Sequence, residues 1–152
     1  MIRRAIVLAT YLMSVSCIAS AQSWSDYIKL VAKADPVTIQ TLPGKIKSQG
    51  DSLDDDQAVE LTTAMSMALV KEPVEVLNVT NQFKTSTDRL QQRFGTGLIC
   101  SLPLMINGTL AQVEAYYADA VPALEKAGTP AADCLNNMRA TMDEFRQDNL
   151  SK

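Results

Sequence analysis

Three dipeptides cut this chain into short helical segments: Asp35-Pro36, Glu72-Pro73 and Thr129-Pro130. Proline has no amide hydrogen and a fixed φ, so it breaks a helix from within yet fits its first turn, where an N–H would lack a partner. Asp35 and Thr129 add oxygens that can accept from the exposed N–H groups of the helix that follows. Between these boundaries apolar residues recur at helical spacing. Ser23 to Asp26 opens the first segment, with Trp24, Ile28 and Val31 on one face. The segment after Pro36 is predicted to end near Leu42-Pro43-Gly44, leaving residues 45–50 as a loop or frayed turn.

Ser52, with Asp55 three residues on, has capping-box spacing and predicts the start of a longer helix. Ala58, Leu61, Met65, Ala68 and Leu69 make its buried stripe. Pro73 begins a further segment through Val74 and Leu77 toward Phe83. Thr85-Ser86-Thr87 is predicted to cap a short helix with Leu90 and Phe94 inward, ended by Gly95. Residues 97–106 are apolar and contain Pro103, and a strand and a buried helical turn fit them equally.

Thr109 and Gln112 form another capping box, followed by inward Leu110, Val113, Tyr117, Ala120, Val121 and Leu124. Pro122 is predicted to kink that helix or end it early, and Gly128 closes it. The last helix places Cys134, Leu135, Met138, Met142 and Phe145 inward. Neither β alternation nor a hairpin signal competes with this pattern. The expected fold is a compact all-α domain over residues 22–152 with five to seven helices. Helices paired across a proline turn suggest repeat-like packing, although no self-similarity recurs at a fixed period.

Residues 1–21 read as a cleaved signal peptide. Arg3-Arg4 precedes an apolar run from Ala5 to Met13, and Ala19-Ser20-Ala21 supplies an A-x-A cleavage site. The run is too short and too interrupted by Ser and Thr for a membrane span, so no stable membrane insertion is expected. Lipidation at Cys17 is the rival reading; it is disfavoured because Ser14 stands where a lipoprotein signal wants leucine. Cleavage after Ala21 predicts a periplasmic or extracellular protein. It also leaves two cysteines, Cys100 and Cys134, which in an oxidising compartment have only each other to pair with. Their spacing is not the C-x-x-C of a redox pair. The disulfide would fasten residues 97–106 to the last helix.

With Arg3 and Arg4 gone, 12 of the 14 basic residues remain against 17 acidic ones, moving the net charge from −3 to −5. No basic cluster denser than Lys45-Ile46-Lys47 exists, which argues against nucleic acid and anionic lipid. The chain has no histidine. That removes histidine-based nucleophile systems, H-E-x-x-H zinc sites and imidazole acid–base chemistry. No phosphate-binding glycine loop is present. Glu60, Glu114 and Asp119 are formally available for carboxylate chemistry, but each also fits a solvated helix face. Asp54-Asp55-Asp56 lacks the glycine and terminal glutamate of a calcium loop and suits the positive end of a helix dipole. Met65 and Met67 fall on different faces, while Met138 and Met142 share the core stripe, so packing explains them better than copper does. No enzyme activity, metal or cofactor is therefore expected.

The function expected from what remains is protein binding: an inhibitor or immunity-type protein whose acidic surface meets a basic toxin or cell-wall hydrolase. Trp24, Tyr27 and Tyr116, with Leu102, Leu104 and Met105 of an apolar loop, are the candidate anchors. Carriage of a small apolar ligand or lipid, which requires an enclosed apolar cavity, and a structural role in the envelope are the alternatives.

Overall fold

The computed structural model describes residues 22–101 and 108–151. The predicted signal peptide, including Cys17, and three candidate anchors, Leu102, Leu104 and Met105, lie outside the described residues. The fold is all-α, with no strand among the described residues. In chain order the helices are α1 (Trp24–Ala32), α2 (Pro36–Gln49), α3 (Asp55–Lys71), α4 (Pro73–Thr80), the single turns α5 (Arg89–Gln92) and α6 (Thr96–Ile99), α7 (Leu110–Ala127) and α8 (Ala132–Leu150). Among the described residues, no helix is long and apolar enough to cross a membrane.

Most helix starts follow local chemistry, but Thr129 caps nothing: Thr129–Ala131 is a 3₁₀ turn, and α8 begins after it without a side-chain cap. Ser23 caps α1 by accepting from the Asp26 N–H, and Asp35 caps α2 by accepting from Thr38, with Pro36 in the first turn. Thr109 and Gln112 close the expected capping box on α7. At α3 the box is built by Asp54 and Gln57, not by Ser52 and Asp55. Ser52 lies instead in a 3₁₀ turn and donates to the Gln49 carbonyl. Asp88, rather than the Thr85–Thr87 run, caps α5.

Three further expectations give way. Helix α2 continues through Pro43 and Gly44 to Gln49. Ile39, Leu42 and Ile46 form one buried stripe across the proline, and burial of Ile46 beyond it, at ~1.5–3 kcal/mol, offsets most of the ~3 kcal/mol that a helix-interior proline costs. Pro122 does not end α7, which runs on to Ala127 before Gly128, at φ 71°, closes it. The carbonyl deprived of a partner belongs to Ala118, an exposed residue, where water can replace the lost donor. Leu90 and Leu110, expected inward, are 45% exposed, since each stands in the first turn of its helix and faces outward there.

Helix α3 is the centre of the packing and touches α1, α4, α6 and α7, while α2 packs on α4 and α8 on α7. Having neighbours on several sides, α3 buries far more than one stripe: Thr62, Ala64 and Ser66 join the five expected residues. Val31, Met65, Leu69, Val76, Phe94, Ile99, Met138 and Met142 are fully buried in one continuous apolar cluster. Cys100, just after α6, and Cys134, in the first turn of α8, form the expected disulfide across a Cα–Cα distance of 5.4 Å.

Candidate partner-binding surface

The aromatic anchors expected from the sequence have different fates. Trp24 is partly buried, donates from its indole N–H to Glu60 Oε2 at 2.6 Å, and lies 5.9 Å from the Tyr27 ring. Tyr27 is not a surface anchor: it is 5% exposed, with the Lys45 ammonium 4.0 Å above its ring. Its position three residues after Trp24 turns it onto the core side of α1 beside Val31. Burial pushes its phenol up to about 12. Tyr116 is partly buried and donates to the Ser66 carbonyl at 3.0 Å, which ties α7 to α3. Burial raises its phenol as well.

The carboxylates considered for chemistry are each accounted for locally. Glu60 holds the Trp24 indole. Glu114 accepts from Arg146 Nε at 2.8 Å and Nη2 at 2.6 Å, which holds its carboxyl below the usual range. Asp119 is solvated on the outside of α7. Asp54 caps α3, and Asp55 approaches Arg93 Nη1 at 3.9 Å. Among the described residues no three acidic or cysteine side chains are grouped to hold a metal.

The cleft with the clearest chemical character lies between α2 and α4 and has a volume of about 570 Å³. It forms where the first two turns of α2 lie beside α4. The helix presents Pro36, Val37, Gln40 and Pro43 along one wall, while Ile39 and Val79 close the floor. Val37 is 68% exposed, an unusual position for a β-branched apolar side chain on a helix that already has its own core stripe. The opposite wall carries Glu72, Glu75, Asn78 and Gln82 from α4 and its flanks.

The charge in this cleft is uncompensated. Glu72 precedes α4 but makes no capping hydrogen bond, and neither Glu72 nor Glu75 joins an ion pair among the described residues. At one end, Lys47 donates to Gln82 Oε1 at 3.2 Å. An apolar floor under two free carboxylates can hold an extended side chain with an apolar stem and a cationic tip, such as lysine or arginine. None of these lining residues is a candidate in the sequence, where Glu72-Pro73 and Pro43 read only as helix punctuation. The available signal is Val37, the apolar residue that stands off the Ile39/Leu42/Ile46 stripe. Comparison with protein-family models, with curated proteins and with solved structures found no match to this chain.

Proposed function

We propose that this chain is an exported protein-binding protein of the inhibitor or immunity type, which neutralises a basic toxin or cell-wall hydrolase. The observation that carries this reading is the α2/α4 cleft, where Glu72 and Glu75 stand unpaired above an apolar floor. Such a cleft accepts a lysine or arginine offered by a partner's loop, and a surface carboxylate pair draws that partner in from solution. The Cys100–Cys134 disulfide supports work in an oxidising compartment. Carriage of a lipid would need an enclosed apolar chamber. The α2/α4 cleft is instead an open groove over the buried Ile39 and Val79.

The test is affinity capture from cell-envelope extract on the immobilised, disulfide-bonded protein, run beside a Glu72→Lys/Glu75→Lys variant. A basic protein retained by the wild type and at least ~10-fold weaker on the variant, a difference of ~1.4 kcal/mol, supports the reading. No retained protein, retention indifferent to the cleft charge, or lipid recovered in its place overturns it.

A further inference from the structure

A second surface, sharing no residue with the α2/α4 cleft, lies between α1 and α3. The two helices run parallel: Trp24 at the start of α1 bonds Glu60, and Lys71 at the end of α3 donates to the Ala32 carbonyl at 2.7 Å. Trp24, Ile28 and Ala32 on α1, and Val59, Thr63 and Met67 on α3, line a shallow groove of about 350 Å³. Each trio is spaced four residues apart and so shares one helix face. Met67 is 49% exposed and Val59 43%, although eight other residues of α3 are buried.

The charges around this face are sorted. Acidic residues gather at helix N-termini and basic ones at C-termini, as the helix dipole favours. Because α1 and α3 are parallel, the lysines at their C-terminal ends fall together, opposite the acidic start of α3. Asp56 and Glu60 mark one end, Lys33 and Lys71 the other, where the adjacent Glu72 lines the α2/α4 cleft and not this groove. Asp26 and Lys29 neutralise each other at 3.6 Å on the outer side of α1.

We infer that the occupant of this face is a second copy of the chain, docked about a two-fold axis passing near Thr63. A patch that is acidic at one end, apolar in the middle and basic at the other is complementary to itself when turned end for end. Thr63 is midway between Val59 and Met67, so the rotation sets Val59 against Met67 of the copy. It also brings Asp56 and Glu60 toward Lys71 and Lys33 of the copy. The size limits this to a weak dimer. At ~1.5 Å per residue α3 is ~25 Å long and the nine-residue α1 ~14 Å, so with ~9 Å of width each they give a footprint of ~350 Å² per copy, in the range of weak, transient contacts. Association through this face is therefore concentration-dependent, and each copy keeps its α2/α4 cleft residues outside the contact.

Sedimentation equilibrium of the disulfide-bonded protein over ~5–500 µM reads this directly, since contacts this small are typically weak and transient. The expected mass rises toward twice that of one chain, and Val59→Lys and Met67→Lys each weaken dimerisation at least ~10-fold while circular dichroism stays unchanged. Under mild oxidant, Thr63→Cys links two copies, whereas Ala140→Cys on the exposed side of α8 does not. A monomer throughout this range overturns the inference. So does a dimer indifferent to Met67→Lys that Thr63→Cys fails to link. A dimer broken by Glu72→Lys in place of Met67→Lys assigns the contact to the cleft and overturns it equally.

Discussion

Tyr27 is buried against α1's neighbours with no hydrogen-bond partner for its hydroxyl among the described residues, whereas the Tyr116 hydroxyl donates to Ser66 across the α7–α3 contact. An unsatisfied buried hydroxyl costs ~1–3 kcal/mol, and a satisfied one contributes ~1 kcal/mol. Tyr27→Phe is thus expected to leave stability unchanged or raise it by up to ~1 kcal/mol, and Tyr116→Phe to lower it by ~1 kcal/mol, measured by urea unfolding. Alkaline pH gives a second readout. Burial raises the Tyr27 phenol from 10.0 to about 12, so the folded state holds that proton more tightly than the unfolded chain does. Its contribution is intact below pH 10 and is lost as pH rises toward 12, and Tyr27→Phe should flatten that decline. At acid pH the sign reverses for Glu114. The Arg146 guanidinium lowers its pKa from 4.5, so its contribution is present above that pH and disappears as the carboxylate is protonated below it. Carboxyl NMR titration should find Glu114 below the usual glutamate range, and Arg146→Gln should return it there.

Helix α2 separates local signals from tertiary ones. Read locally, Pro43-Gly44 ends a helix, yet the buried spacing of Ile39, Leu42 and Ile46 carries it to Gln49. Gly44 lies mid-helix with open space where a Cβ would stand, so Gly44→Ala is expected to stabilise by ~0.5–1 kcal/mol in thermal unfolding. No gain would return residues 45–50 to a frayed turn. The disulfide was legible because elimination left only Cys100 and Cys134. It closes a sequence separation of 34, and replacing both cysteines by alanine should cost ~3.5–4 kcal/mol in urea unfolding, by restoring freedom to the unfolded chain. Caps were legible in kind more than in position. Ser52–Asp55 and Asp54–Gln57 both match a capping box, and the choice depends on Gln57 reaching back to the Asp54 N–H. The inward assignments of Leu90 and Leu110 failed because periodicity gives spacing but not the phase of a helix relative to its neighbours. The α2/α4 cleft was illegible for a related reason. It joins Val37 to Glu75 across helices that no local pattern pairs.

At the scale of the whole molecule, two kinds of charge arrangement coexist on one acidic chain. The α2/α4 cleft carries one sign only, and the α1/α3 face carries both signs at opposite ends. They should respond differently to salt. A single-sign cleft attracts a basic partner at a distance, and screening shortens that reach from ~14 Å at ~50 mM to ~4 Å at ~500 mM salt. For the partner retained from envelope extract, surface plasmon resonance is expected to give an association rate falling ~10-fold or more across that range, with the dissociation rate nearly constant. Glu72→Gln/Glu75→Gln should bring the low-salt association rate down toward the high-salt value and flatten its salt dependence, since the steering charge has been removed while the apolar floor of Ile39 and Val79 is kept. A double variant whose association rate still falls as steeply with salt as the wild type's would place the steering charge elsewhere on the surface, and the cleft would lose its claim to the partner.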